Sequence, residues 1–277
     1  MKTSNLYLES KSYLIDQTAR LFNCSLVRAG EIVDEYINLS NVTNLTFETI
    51  LDELASTLQT GQSLPNVIKY LDRKNQLRAI FRNYNPASLS QVDEDTLYQE
   101  CLDAFGTQIN TAKQSWMKYI DGMIDGAAIL SRFPDVPSFI NAINSFPAAH
   151  GMSFEVYQQI MPTAARASKG ADGWKIYGMG NAIACNFLKE IGFVNYIKPD
   201  THIKDVFDAF EITYADDNDC LRIGRQLAAQ NGVTPYAFDR VIWLCCSGHY
   251  YRHFTQKLGG GWHSLKPPYL EFLRRLP

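Results

Sequence analysis

Residues 176–202 read IYGMGNAIACNFLKEIGFVNYIKPDTH, and the rest of the chain can be read outward from them. The Gly178-Met179-Gly180 turn opens an amphipathic helix. Ile183, Phe187, Leu188 and Ile191 recur at helical spacing and predict its buried face, and Gly192 supplies its stop. A short loop then delivers Pro199-Asp200-Thr201-His202 at the mouth of the next helix. The glycines stand between two predicted helices rather than after a strand, which excludes the dinucleotide-binding and P-loop readings. In a helix–turn–helix hairpin, two glycines let the backbone turn sharply. The amides there and at the following helix start can then face a phosphate oxygen, although the same glycines also serve a plain tight turn. Asp200 follows Ala182 by eighteen residues. Its carboxylate is a candidate for catalysis, and equally has the residue type of a simple N-cap.

Outward from this stretch the pattern stays helical. Leu14, Ala19, Leu21, Phe22, Leu26, Val27, Ile32, Val33 and Ile37 predict helix over 5–40, broken by Ser and Asn. Thr46 to Leu58 predicts another, with Thr46-x-x-Thr49 as a weak cap. Residues 66–84 read as a basic helix carrying Lys69, Arg73, Lys74, Arg78 and Arg82. Those cations suit phosphates, and suit equally long side chains snorkelling over a helix surface. Asn85-Pro86 ends that helix and opens the polar connector ASLSQVDEDT, where a boundary is expected. Beyond it, helices are predicted around Leu97–Phe105, Trp116–Ile124, Phe139–Ile143 and Val156–Met161, and over 163–176 leading into the hairpin. Further helices follow around Ile203–Phe210, Leu221–Ala229 and the strongly apolar Pro235–Cys246. Strand-like alternation is nowhere convincing, so the expected class is all-α.

The 277 residues carry 46% hydrophobic and 20% charged side chains, an ordinary balance for a globular chain with a sizeable core. No apolar run approaches a membrane span, and MKTSNLYLES lacks a signal-peptide core. The expectation is a cytoplasmic monomer away from membranes. Six scattered cysteines form no CxxC pair, which argues against a zinc ribbon or disulfide framework. Cys245 and Cys246 read as buried thiols. The net charge of −3 is a mild argument against generic nucleic-acid binding. Yet 61–90 holds five basic residues against one acidic, and so does 249–277. Such islands could hold a polyanion locally or be solvated faces. His249 and His253 have helical spacing but no evident third zinc ligand, and Asp216, Asp217 and Asp219 do not fit a calcium loop. No metal site is expected.

The segment resembles the helix-hairpin-helix DNA glycosylase superfamily, the endonuclease III-like proteins. That pattern runs L-P-G-V-G, then Lys or another residue, a helix, and a D-T-H corner. Here it stands as I-Y-G-M-G-N-A-I-A followed by K-P-D-T-H, with the family's hairpin-to-Asp spacing, and the likeness covers roughly residues 95–250. It implies a glycosylase-like core over 91–248, an N-terminal helical extension over 1–90 and a basic tail, 249–277, packing on the core. It implies that Gly178, Met179, Gly180, Asn181 and Ala182 hold a DNA phosphate, often with a monovalent cation, and that Asp200 is the catalytic aspartate. Gly106-Thr-Gln108-Ile-Asn110-Thr111 looks like the loop that supplies Gln or Asn near an extruded base. Trp174, Tyr177 and His202 complete the expected base-pocket or insertion set. Trp116, Phe133 and Tyr157 could also contribute, and read more naturally as core.

Two departures matter. Where bifunctional relatives carry Lys, this chain has Ala182, which forms no Schiff base. Lys175, Lys189 and Lys198 do not match that position. Tyr177 stands in place of the usual Pro. The iron–sulfur cysteine set is missing, so no cluster and no required cofactor are expected. The resemblance therefore implies a monofunctional glycosylase that hydrolyses the base–sugar bond of a damaged or modified base and leaves an abasic site. Bulky modified bases of the phage type, met in defence, are one alternative. A non-catalytic helix-hairpin-helix DNA-binding module is another.

Overall fold

The computed structural model describes residues 5–38, 44–62, 70–149, 173, 174, 176–248 and 265–276. Every regular element among them is helical, as the 3.6-residue spacing of the apolar positions predicts. Packing divides the chain into two compact units: residues 42–191, and residues 1–41 together with 192–277.

The unit spanning 42–191 contains α3 (Phe47–Gln62), α4 (Tyr70–Ile80), α5 (Pro86–Leu89), α6 (Glu94–Phe105), α7 (Lys113–Leu130), α8 (Val136–Ala149) and α9 (Asn181–Glu190). Helix starts follow their sequence signals. Thr46 and Thr49 exchange side-chain-to-backbone hydrogen bonds of 2.9 and 3.2 Å ahead of α3. Asn85 accepts from the Ser88 N–H at α5, and Asp93 from the Thr96 N–H at α6. Each removes an orphan amide of a helix start.

The core of this unit forms around α7, which packs on α3, α5 and α6. Trp116, Tyr119, Ile120 and Met123 are fully buried along it. Gly122 and Gly126 allow the close approach of α3. A Cβ at Gly122 would lie 2.8 Å from Leu58 Cδ1, and one at Gly126 would collide with Leu54. Helices on both sides of residue 90 thus share one core, and Pro86 and Leu89 of the expected connector are buried in it.

The basic helix is shorter than its apolar pattern suggests. It stops at Ile80, and Arg82, Asn83 and Tyr84 adopt φ of 56°, 53° and 62° in succession. Three consecutive left-handed residues without glycine are costly, and the surroundings impose them. Arg82 donates to both Glu100 oxygens at 2.7 Å and to the Ile80 carbonyl, while Phe81 and Tyr84 are fully buried. Much of the basic island is paired inside this unit. Lys74 bridges to Asp52 at 2.7 Å, Arg82 forks onto Glu100, and Arg78 lies over the Tyr84 ring.

The unit of 1–41 with 192–277 contains α1 (Leu6–Phe22), α2 (Leu26–Asn38), α10 (Thr201–Ala209), α11 (Asp217–Gln230), α12 (Pro235–Ser247) and α13 (Lys266–Arg275). Helix α12 is buried on almost every side, as a helix apolar all round must be, and α1, α2, α10, α11 and α13 pack on it. The two ends of the sequence meet here. Ser10 and Tyr269 share a 2.6 Å hydrogen bond, and Cys245 donates its thiol to the Ser10 carbonyl. Arg240 is held between the rings of Tyr36 and Tyr236. The cysteines expected to be buried thiols are so, and burial pushes the Cys246 thiol up to about 12. No described helix is long and apolar enough to cross a membrane.

Candidate functional site

The hairpin stretch lies in the unit of 42–191. Residues 173, 174 and 176 are not helical; the remainder of the helix expected over 163–176 lies outside the described residues. Met179 donates its N–H to the Ile176 carbonyl at 3.3 Å. Gly178 has φ +76°, the conformation that the third position of a type II turn requires and that glycine tolerates. The turn is fixed from α7. Asp125 Oδ2 accepts the Tyr177 N–H at 2.8 Å, and a Cβ at Gly122 would come within 2.6 Å of the Tyr177 carbonyl oxygen. The turn thus sits on bare helix backbone, with one carboxylate orienting it.

Gly180 is the N-cap of α9, in extended conformation and without a side-chain cap. A Cβ there would meet nothing within 4 Å, so the space beside it is open. Asn181 and Ala182 form the first turn, both partly exposed. A helix start leaves its first amides without intrahelical acceptors, and a glycine cap offers no oxygen to satisfy them. Such a start has the polarity to receive an anion. Met179 is buried instead. With Ile176, Ala184, Phe187 and Trp174 it lines a small apolar cavity. Trp174 also packs on Phe133 and Phe139 at 5.9 and 6.1 Å, and Arg132 donates to the Gly173 carbonyl beside it. Tyr177 is partly exposed.

The loop residues read as base contacts are engaged locally. Gln108 donates its amide to the Phe105 carbonyl at 2.8 Å, closing the end of α6. Asn110 accepts from the Tyr98 hydroxyl at 2.8 Å. Both side chains stand on the exposed 3-10 turn Thr107–Ala112. Trp116 is core. Tyr157, Lys175, His249 and His253 lie outside the described residues.

Asp200 belongs to the other unit, where it is the N-cap of α10. Oδ1 accepts the N–H groups of His202 at 2.8 Å and Ile203 at 3.4 Å. Oδ2 lies 3.3 Å from the Lys198 ammonium, with 18% and 19% of the two side chains exposed. Asp200 N–H bonds back to the Lys198 carbonyl at 2.7 Å across Pro199. The Lys198 N–H is held at 3.0 Å by Asp239 of α12, itself buried. Burial pushes the Asp200 carboxyl up, but the charges of Lys198 and His202 and their hydrogen bonds outweigh it, holding the group below the usual carboxylate range. The result is a largely buried, ionised carboxylate at a fixed place.

The structure thus gathers Asp200 and His202 in one unit, and the hairpin glycines with Trp174 and Tyr177 in the other. Three residues escaped the sequence reading. Asp125 and Gly122 fix the hairpin turn; the Gly122-x-x-Asp125-Gly126 run on one helix was the available signal. Asp239 anchors Lys198 from within an apolar helix, where nothing local marked its partner. No group of three or more His, Cys, Asp or Glu able to hold a metal occurs among the described residues. Set against family models, curated proteins and solved structures, the chain matches none.

Proposed function

We propose that the protein is a monofunctional DNA glycosylase, hydrolysing the bond between a damaged or modified base and its sugar. The observation that carries this reading is the largely buried carboxylate of Asp200, kept ionised by Lys198 and His202. Base departure builds positive charge on the sugar, and a fixed anion stabilises that oxocarbenium-like state. The same carboxylate orients or deprotonates the attacking water. The uncapped glycine start of α9 supports the reading as a backbone-amide grip for a DNA phosphate, with Gly178, Met179, Gly180, Asn181 and Ala182 shaping it. Ala182 places no amine where bifunctional relatives carry their Schiff-base lysine, so water completes the reaction and an abasic site remains. Extruding the base costs a few kcal/mol in a duplex. Damaged or mismatched pairs lower that cost and are the first substrates to offer.

The test is incubation with DNA carrying alkylated, deaminated, mismatched and bulky modified bases, followed by alkali to reveal abasic sites and by mass identification of released bases. Asp200→Asn is expected to lower base release by at least about 100-fold. Borohydride should trap no covalent adduct with the native protein, and a trapped adduct would remove the monofunctional reading. DNA binding without release of any base would make the protein a non-catalytic helix-hairpin-helix module.

A further inference from the structure

We propose that Lys198 is a positioning residue for the Asp200 chemistry, holding the carboxylate in its ionised form and in one orientation. This inference rests on the excision reading and deepens it. Capping a helix does not require such an arrangement. Asp93 and Asp216 cap α6 and α11 through the same kind of side-chain-to-amide bond, and both are exposed. Asp200 differs in being largely buried and in having its second oxygen against an ammonium.

The lysine is built into place. Its N–H is held by the buried Asp239, its carbonyl accepts the Asp200 N–H, and Pro199 stiffens the link between them. An ionised carboxylate has about four acceptor sites. Among the described residues, the N–H groups of His202 and Ile203 with the Lys198 ammonium occupy three, which leaves one direction for a water or a cationic sugar. Removing the ammonium would leave burial as the main influence on Asp200 and favour its protonated, inactive form.

Other charged and titratable groups surround the pair. His202 and Asp205 stand on α10, Cys220 on α11, and Asp239 and Cys246 on α12. On α13, Lys266 bridges to Asp205 at 2.5 Å and reaches the Thr201 carbonyl. The burial-raised thiols of Cys220 and Cys246 stay neutral at ordinary pH, and Lys266 is paired with Asp205. His202 adds its charge from the first turn of α10, and among the described residues Lys198 is the cation whose side chain pairs directly with the Asp200 carboxylate.

The experiment compares wild type, Lys198→Met and Lys198→Arg in two readouts. One is base release from DNA carrying alkylated and deaminated bases, measured from pH 4 to pH 9. The other is NMR titration of the isotope-labelled Asp200 carboxyl. For Lys198→Met, the acid side of the pH–rate profile should move up into this range, with release slowing several-fold toward pH 4, and the carboxyl should titrate at correspondingly higher pH. Lys198→Arg should restore both, which a general loss of folding stability would not produce. An unchanged Asp200 titration in Lys198→Met overturns the inference whatever the DNA assay gives. If the titration moves but wild-type protein releases no base, the excision reading fails. Lys198 is then only a partner to a helix cap, and its role in positioning falls as well.

Discussion

Asp200 concentrates the chemistry of the chain into one side chain, and its surroundings make its behaviour with pH predictable. Its folded pKa lies below the ordinary value, so ionised Asp200 stabilises the fold above the usual carboxylate range. That contribution disappears as pH falls through the depressed folded value. Asp200→Asn should therefore flatten the acid side of the stability curve, read from thermal unfolding between pH 2 and pH 7. Asparagine caps a helix about as well as aspartate. The loss near neutrality is then mainly that of the largely buried Lys198 pair, about 1–3 kcal/mol. A variant that stays folded near neutrality but releases no base would separate the catalytic role from the cap, the two readings that its residue type left open.

At the level of elements, the start of α9 pairs a gain in stability with a loss of function. Gly180 provides no cap, and nothing occupies the space a side chain would take. Gly180→Ser should cap the helix and stabilise the protein by a few tenths of a kcal/mol. Its hydroxyl would then occupy an amide offered to phosphate, so DNA affinity should fall; binding and thermal melts on the same sample check both. The opposite case is Gly122 on α7. A Cβ there would press on the Tyr177 carbonyl and on Leu58, so Gly122→Ala should cost about 1–3 kcal/mol, as overpacking does. It should also displace the Gly178 turn, visible as shifted backbone amide resonances at 177–180. The left-handed run at Arg82–Tyr84 belongs to this scale too. Glu100→Gln weakens the fork that holds it and should destabilise the protein, measured by urea unfolding.

For the molecule as a whole, the Ser10–Tyr269 bond ties the two ends of the chain together in the unit that holds Asp200, joining residues 259 positions apart. Tyr269→Phe removes it while Ser10 keeps its bond to the Leu6 carbonyl. The expected cost is about 1 kcal/mol, with an unchanged denaturant slope. Local features were legible in the chain before any contact was known. The all-α class, the weak cap at Thr46 and the strongly apolar character of α12 follow from spacing and residue type, because helix periodicity and capping act within a few residues. Gly178 and Gly180 announced a turn for the same reason, and Asp200 a helix start. Only the tertiary structure decided the partners. It placed Asp125 beneath Tyr177, Asp239 behind Lys198, and Glu100 on Arg82 where periodicity would have continued the helix. It also set the limits of the two packing units. Such pairings are chosen by chain segments distant in sequence that are buried together, and their cost and gain appear only once both sides are in place.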